Sequence, residues 1–470
     1  MTVVLADPTD LDLAAFRRVA WGGEGVELAD AAVQRMAATR GAFEKFVAAS
    51  ADRHLYGITT AHHRGARTLL SPEARVAYAR RIPPTPASLG PALPERVVRG
   101  IVAARVAGFT GGTAAVRPEL ARATAAMLDG PMPSVAARGH GEPGEIGTLR
   151  AVFGGLEHQL ELEAKEGMAL VNGAPASAAV LADVALAGRG RLEVADEILA
   201  LAFYAAGALD SHLDPALDEA WRDRHEAAAL ARLRDLIGGG DAAPDGHQAA
   251  VAFRDAPRML GWQRRVQQWA RECAEISLSA PGDNPMFAPA GGGSPARILS
   301  NAGYHDARSA PMLNAIAAAS ADLASLAAVQ ATRLAEDPAG LAASESEPEV
   351  TLLSMTALGW AEEARLAAAP TLISLGGSPP SDTSSPALFA WRLAEDAGTC
   401  LQAALATLAV LAAHTIAAAG RPIPPALHER FDATLERFPR PLHTSDYQAA
   451  LQRIADDVER QVHPTGARGA

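Results

Sequence analysis

Long stretches of this chain repeat apolar residues with the period of an α-helix. Two segments extend for about seven turns or more at ~3.6 residues per turn, and both are rich in alanine and leucine: "SAPMLNAIAAASADLASLAAVQATRLAE" and "ALFAWRLAEDAGTCLQAALATLAVLAAHTIAAA". Helices of this length and composition are stable when they bury one another's faces. The pattern therefore predicts a multi-helix bundle.

A third segment, "MLGWQRRVQQWARECAEISL", predicts a helix with one broad apolar stripe. The stripe consists of Leu260, Val266, Trp269, Cys273 and Ile276. The first 135 residues instead alternate short helical stretches with Pro/Gly breaks such as "RIPPTPASLGPALP". We predict an all-α fold, a long multi-helix bundle with a smaller mixed N-terminal region. Residues 1–195 form that first region, and residues 196–470 form the central and C-terminal helices of one continuous unit.

Charge and cysteine usage exclude several classes of partner. The net charge is -12 and no run of Lys or Arg occurs, so we predict no nucleic-acid or membrane-surface partner. The two cysteines, Cys273 and Cys400, lack zinc spacing and fit a reducing compartment. The N-terminus lacks a signal-peptide pattern. The very apolar stretch Leu401 to Gly420 includes Gln402 and His414, which favours a buried bundle helix in a cytoplasmic protein.

Four short motifs follow one another along the chain. They are Tyr56-Gly57 in "LYGITTAHHRG", then "KEGMALVNG", then Arg254 in "FRDAPRMLG", and Asp283-Asn284-Pro285 in "APGDNPMF". Their order and spacing together resemble the histidine and phenylalanine ammonia-lyase family, the aromatic amino acid lyases and aminomutases. The most specific motif is "KEGMALVNG", which is similar to the family's KEGLALxNG. The resemblance covers nearly the whole chain and implies a bundle of the ammonia-lyase type.

The resemblance also implies a prosthetic group, which the family makes from its own backbone. An Ala-Ser-Gly triplet cyclises with loss of two waters into a methylidene-imidazolone, and the serine side chain supplies the methylidene. In this chain that place holds His140, Gly141 and Glu142, and residues 135–147 contain no Ser, Thr or Cys. We therefore expect no such ring and no ammonia-lyase activity by the family mechanism. No other cofactor is implied.

Other pocket positions of the family are matched by suitable residues. The resemblance makes Tyr56 the catalytic base and Arg254 the group that binds the substrate carboxylate. Asn172 matches an asparagine that supports the ring, and Tyr304 matches an aromatic of the Asn-Phe-His segment. A guanidinium suits a carboxylate because it forms two parallel hydrogen bonds. The pocket is thus expected to keep a base and an anion anchor.

Elsewhere the chain departs from the family. Val251 stands where the family has a tyrosine, and Ser381 where it has a glutamate. Ala61, His62 and His63 replace a Gly-Phe-Gly after the tyrosine turn. The pocket has therefore lost several partners as well as its electrophile.

Four side chains are new relative to the family: His62, His63, His140 and Glu142. A histidine titrates near pH ~6.5 and exchanges a proton without a prosthetic group, and Glu142 is placed to pair with His140 and raise its pKa. Loops rich in glycine and histidine are also often only solvated. A zinc site is a further alternative, but adjacent histidines point apart, so we predict no metal.

These residues favour an enzyme that performs elimination, isomerisation or cyclisation on a carboxylate, aromatic or amino-acid-derived, in specialised metabolism. The catalytic residues would be Tyr56, His140 and Glu142, and the binding residues Arg254, Asn172, Tyr304, His62 and His63. The alternative is a non-catalytic relative that serves as a binding or scaffold protein. The resemblance implies a homotetramer with pockets shared between subunits.

Overall fold

A computed structural model of the chain describes residues 2–238, 248–336, 348–375 and 382–464, and helices dominate these ranges. The first helices are α1 (Leu13–Ala20), α2 (Asp30–Ala48), α3 (Pro72–Ala79), α4 (Glu95–Thr110), α5 (Pro118–Ala126), α6 (Ile146–Phe153) and α7 (Glu166–Val171). The next are α8 (Pro175–Ala205), α9 (Ala216–Ala220), α10 (Arg224–Ile237), α11 (Val251–Arg254), α12 (Ala256–Ser279) and α13 (Ser309–Glu336). The last are α14 (Leu353–Ala367), α15 (Ala387–Ala419), α16 (His428–Arg437) and α17 (Tyr447–Val462). The prediction of an all-α fold is confirmed.

The strands in the described ranges form short two-stranded pairs. The pairs are β1 (Thr2–Leu5) parallel to β2 (Gly25–Leu28), and, antiparallel, β3 (Leu89–Ala92) with β4 (Ala136–Arg138), β5 (Met286–Ala288) with β6 (Arg297–Leu299), and β7 (Ser374–Leu375) with β8 (Thr383–Ser384). The first two pairs give the N-terminal region its mixed character. The other two pairs lie beyond it, so strands are not confined to the N-terminus.

The bundle is centred on α8, α13 and α15, with α12 and α14 packed on them. Between Leu401 and Ile416 most of α15 is buried, because its many alanines let neighbouring helices pack closely. The polar residues of that stretch have partners inside the bundle: Gln402 accepts from Arg191 at 3.0 Å, and His414 Nε2 lies 3.1 Å from the Phe438 carbonyl. Residue 195 lies inside α8, so one helix joins the two predicted regions.

Three helical stretches are long and apolar enough to cross a membrane by length and composition alone: Glu166–Ala205, Ser309–Glu336 and Ala387–Ala419. In their most apolar windows, 83%, 67% and 89% of the residues are buried inside the protein. Their apolar surface therefore faces other helices of the bundle.

The predicted stripe on α12 is wrong in its extent. Leu260 and Val266 are buried, whereas Trp269 and Ile276 are 41% and 51% exposed. Trp269 and Ile276 lie seven residues apart, nearly two turns, so they share a line along the helix that faces away from the bundle. The sequence pattern shows that α12 is amphipathic but not that its apolar residues form two separate faces.

Candidate active site

The segment around His140 and Glu142 forms a loop between β4 and α6. We call residues 139–145 the acidic loop. Pairing of β4 with β3 fixes one end of this loop, and α6 fixes the other. Gly144 has a φ of +64°, and a Cβ added there would lie 2.9 Å from the Tyr304 ring. Glycine is therefore required both by the turn and by the close approach of Tyr304.

His140 and Glu142 of the acidic loop lie together. His140 Nδ1 is 3.5 Å from Glu142 Oε1, and its Nε2 is 2.8 Å from the Ala136 carbonyl. Glu142, 9% exposed, accepts hydrogen bonds of 3.0 Å from the N–H groups of Gly141 and Gly147. Gly147 belongs to the first turn of α6, where an anion is favoured. Glu142 thus both caps a helix and orients a histidine.

Both groups of this pair favour their charged forms. Burial alone would lower the pKa of His140, but the Glu142 carboxylate and the Ala136 carbonyl outweigh it, so the pKa of His140 is raised. Burial opposes the ionisation of Glu142 too, yet His140 and the backbone N–H groups lower the pKa of Glu142. The pair can hold a proton on the imidazole near neutral pH.

Replacing Glu142 by glutamine should lower the pKa of His140, because the main group that favours the imidazolium loses its charge. An NMR titration of the histidine ring protons measures this pKa directly. A pKa raised above the unfolded value of ~6.5 stabilises the fold fully at lower pH. That stabilisation is lost as the pH rises through the folded-state pKa. Glu161→Gln, at an exposed position, is the control, and an unchanged His140 titration in Glu142→Gln would contradict the pairing.

A second carboxylate of the acidic loop caps the longest neighbouring helix. Glu145 is 4% exposed and accepts hydrogen bonds from the N–H groups of Ala176 and Ser177, at 2.7 and 2.5 Å, and from the Ser177 hydroxyl. Burial raises the pKa of Glu145 to about 7 against these hydrogen bonds, and nearby Asp306 adds to the rise. The sequence analysis did not single out Glu145, although an acidic residue directly before a helix is a capping signal. Glu145 directly precedes α6, but it caps α8.

Tyr304 and His305 contact the acidic loop at Gly144. Their rings lie 4.8 Å apart, and His305 Nε2 accepts a hydrogen bond of 3.3 Å from the Gly144 N–H. Burial lowers the pKa of His305, so its ring is neutral and can accept. The structure therefore brings Tyr304 to the same loop as His140 and Glu142, whereas the sequence had assigned His305 no role.

Tyr56 belongs to a second cluster. Tyr56 is half-buried, and burial together with an electrostatic interaction with Tyr56 raises the pKa of Tyr78. His62 Nδ1 lies 2.7 Å from the Tyr78 hydroxyl. The turn at Gly57 packs on Met168, which an added Cβ would approach to 3.2 Å. Tyr78 was not predicted, and its α3 position lacks any local signal. The side chain of His63 lies outside the described residues.

The chain between Tyr78 and Ser88 leads from the second cluster to the acidic loop. Near its end the Pro86 carbonyl lies 3.1 Å from a Cβ added at Gly147, and Ser88 donates to the Arg138 carbonyl. The described contacts join both clusters to this segment. That His62 and His140 share one pocket stays a prediction.

Asn172 lies at the junction of α7 and α8. Its backbone carbonyl accepts a hydrogen bond from Arg105, while its buried Oδ1 has no hydrogen-bond partner among the described residues. A buried amide oxygen without a partner is costly and is often satisfied by a ligand or water. The predicted binding role of Asn172 stays a prediction.

Arg254 ends the short helix α11 and contacts the chain just before that helix. Its Nε donates to the Ala249 carbonyl at 2.9 Å, and, after burial, its charge lowers the pKa of His212. Among the residues that the structure describes, no hydrogen bond or ion pair joins Arg254 to Tyr56 or to the acidic loop. That Arg254 binds a substrate carboxylate stays a prediction.

The described ranges contain no group of three or more His, Cys, Asp or Glu side chains arranged to hold a metal ion. The described side chains therefore do not form the zinc site that the sequence analysis considered as an alternative.

Comparison with known proteins identifies relatives for nearly the whole chain. The family model "Aromatic amino acid lyase" matches residues 11–157 and 153–440. A histidine ammonia-lyase of Streptomyces avermitilis is 31% identical over 352 residues, which are 67% of this chain and 67% of that protein. The matched sequence therefore includes both clusters of the candidate site.

Solved structures share the architecture at lower sequence identity. Tyrosine aminomutase from Streptomyces globisporus has a TM-score of 0.84 and 21% identity, covering 99% of this chain and 98% of that chain. Phenylalanine aminomutase of Pantoea agglomerans has a TM-score of 0.86 and 16% identity, covering 98% and 100%. At these identities the likeness shows the fold alone.

Proposed function

The chain belongs to the aromatic amino acid lyase family, and from that premise we propose that it catalyses acid–base chemistry without the family's prosthetic group. The substrate is a carboxylate, aromatic or amino-acid-derived. The reaction is an elimination, isomerisation or cyclisation. The relatives named above are an ammonia-lyase and aminomutases, whose names denote the loss or the migration of an amino group. The proposed reaction departs from that chemistry.

The observation that supports the proposal most is the His140–Glu142 pair. His140 Nδ1 and Glu142 Oε1 are 3.5 Å apart, both side chains are largely buried, and the pKa of His140 is raised. The imidazolium is therefore a proton donor near neutral pH. Two backbone N–H groups hold Glu142 in place, so the geometry does not depend on substrate.

The acidic loop does not fit a methylidene-imidazolone. The ring needs a β-hydroxyl on the central residue, and neither Gly141 nor Pro143, two positions further on, has one. Glu142 already accepts from the Gly147 N–H, and Glu145 from the first N–H groups of α8. Carboxylates thus occupy the positive ends of the two helices at the loop. We therefore derive no step through the ring.

In the proposed reaction, Tyr56 removes a proton from the substrate carbon and His140 donates a proton to the leaving or migrating group. A free phenol has a pKa near ~10, so Tyr56 needs a neighbouring proton acceptor or positive charge to act as a base. Tyr78 stays a neutral phenol because its pKa is raised, and it is able to donate to His62 at 2.7 Å. Tyr78 and His62 would together determine whether the Tyr56 hydroxyl is protonated.

We propose further that the protein is a homotetramer and that Arg254 completes the pocket of a neighbouring subunit. Exposed apolar side chains on two helices support such contacts. Trp269 and Ile276 on α12 are 41% and 51% exposed, and Met355 and Leu366 on α14 are 68% and 78% exposed. Apolar patches of this kind favour burial against another subunit.

A thermal-shift panel tests the binding part of the proposal. Wild type and Arg254→Ala are heated with L-histidine, L-tyrosine, L-phenylalanine and benzoate. A ligand at a hundredfold excess over its Kd stabilises the folded state by about 2.7 kcal/mol. We expect at least one carboxylate to raise the Tm of wild type but not that of Arg254→Ala. Arg258→Ala, one turn away and half exposed, is the matched control and should respond as wild type.

Light scattering of the same preparations measures the subunit number. A monomer would contradict the shared pocket. Equal responses of Arg254→Ala and wild type to every carboxylate would contradict the anion anchor and favour the binding or scaffold alternative.

A further inference from the structure

Thr148 has a buried hydroxyl to which the proposed reaction gives no role. It lies in the first turn of α6 and is 1% exposed, and its Oγ1 lies 3.3 Å from His140 Nδ1. Other buried helix threonines, such as Thr124 and Thr434, donate to the carbonyl four residues earlier in their own helix. For Thr148 the corresponding carbonyl, that of Gly144, lies before the helix begins. Its hydroxyl contacts His140 instead, and a buried hydroxyl requires such a partner.

The partner of the other ring nitrogen determines where His140 has its proton. Nε2 lies 2.8 Å from the Ala136 carbonyl, which can only accept a hydrogen bond. Nε2 therefore keeps its hydrogen in both the neutral ring and the imidazolium, because losing it would place two acceptors against each other. A neutral imidazole has a single N–H. Nδ1 is thus the nitrogen that gains and loses a proton when His140 titrates.

Two side chains face Nδ1, and they suit different protonation states. Glu142 Oε1 lies 3.5 Å from Nδ1 and can only accept while it is ionised, so it favours the imidazolium. The charge of Glu145 adds to this preference. The Thr148 hydroxyl can donate as well as accept. When Nδ1 has lost its proton and become an acceptor, Thr148 is the described side chain in contact with it that can donate.

We propose that Thr148 is a positioning residue that stabilises neutral His140 in its Nε2–H form by donating a hydrogen bond to Nδ1. The consequence for catalysis rests on the proposed function. In that reaction the Nδ1–H bond of the imidazolium breaks, and the proton goes to the leaving or migrating group of the substrate. The Thr148 hydroxyl then rotates to donate to the Nδ1 lone pair, and no bond of Thr148 breaks. Release of the Nε2 proton would instead leave the Ala136 carbonyl without its donor.

Glu142 and Thr148 thus have opposite effects on the same nitrogen. A carboxylate alone would hold the proton on His140, whereas a general acid has to release it near the working pH. The Thr148 hydroxyl stabilises the ring after release, and so it limits how far the carboxylates raise the pKa of His140.

Solid-state ¹⁵N NMR of the full chain, labelled only at histidine, tests the tautomer without any substrate. His140→Gln identifies the two His140 signals by their loss. At a pH above the titration of His140, we expect a protonated Nε2 and an unprotonated Nδ1 whose chemical shift shows an accepted hydrogen bond. A neutral His140 with its proton on Nδ1 would overturn the proposal. The wild-type spectrum decides this point even if a variant fails to fold.

Three threonine variants separate the hydroxyl from the shape of the side chain. Thr148→Val keeps the shape and should raise the pKa of His140 by about 0.5 to 1 pH unit, because the neutral ring loses one hydrogen bond. Thr148→Ser keeps the hydroxyl and should titrate as wild type. Thr124→Val, at a buried threonine that donates within its own helix, is the matched control and should leave the titration unchanged. An unchanged pKa in Thr148→Val, or an equal rise in Thr148→Ser, would overturn the role of the hydroxyl.

Failure of this proposal and failure of the proposed function give different results. Full turnover in His140→Ala together with an Nε2–H tautomer in wild type would contradict the proposed function and leave the role of Thr148 intact. Lost turnover in His140→Ala together with an Nδ1–H tautomer would do the reverse.

Discussion

Replacing His140 by alanine or Tyr56 by phenylalanine is expected to abolish turnover while substrate binding is largely kept. Each residue is assigned a proton transfer, and a positioned acid or base contributes about 10²–10⁴-fold to the rate. Neither side chain is the anion anchor, so the Kd of a bound carboxylate should change little. The measurements are kcat for a carboxylate that wild type converts and the Kd of the same compound by calorimetry.

The control for this pair of variants is His158→Ala. The His158 side chain is 82% exposed, so its removal should change neither kcat nor Kd. Circular dichroism and Tm confirm that each variant is folded. Full activity in both His140→Ala and Tyr56→Phe would contradict the proposed mechanism, and loss of binding in both would assign these residues to recognition instead.

Replacing Glu166 by alanine is expected to destabilise the fold by about 3 kcal/mol, since breaking a buried charged pair costs ~3–5 kcal/mol. Glu166 is 0% exposed and accepts from the Arg117 N–H at 3.0 Å, from its guanidinium at 2.9 and 2.7 Å, and from the Glu163 N–H at 2.9 Å. Alanine removes the acceptor of the two backbone N–H groups and of Arg117 Nε, whereas Arg117 NH2 keeps the Glu161 carbonyl. The cost is at the low end because the Arg117 side chain is 22% exposed. Urea unfolding at fixed protein concentration measures it.

The matched control is Glu193→Ala. Glu193 also pairs with an arginine, Arg189, at 3.0 Å, but both side chains are more than half exposed. An exposed pair one helical turn apart contributes about 0.5 kcal/mol or less. Equal losses in Glu166→Ala and Glu193→Ala would show that burial of the Glu166 carboxylate does not govern its contribution.

The chemistry of the acidic loop could be predicted from the sequence as far as it is local. His140 and Glu142 are two residues apart, so their pairing required only that the loop turn between them. Glu145 caps α8 more than thirty residues later, at Ala176 and Ser177. A capping motif in the sequence shows that an acid precedes a helix but not which helix end its carboxylate reaches.

The second cluster and the Arg105–Asp283 pair were not predictable for the same reason. Tyr78 lies sixteen residues from His62 on a helix whose pattern indicates only an ordinary amphipathic segment. Arg105 and Asp283 are far apart in the chain and meet through the packing of α4 on the segment after α12. Residue type suggested charge at both positions, and packing alone placed the two buried charges 3.6 Å apart.

The sequence by itself determined the long helices, the family and the absence of Ser, Thr and Cys from residues 135–147, because helical period and side-chain identity are properties of consecutive residues. Only the tertiary structure decided which apolar face of α12 is buried and which helix ends receive Glu142 and Glu145. These outcomes depend on contacts between residues distant in the chain, whose geometry follows from the packing of whole helices and not from any local pattern.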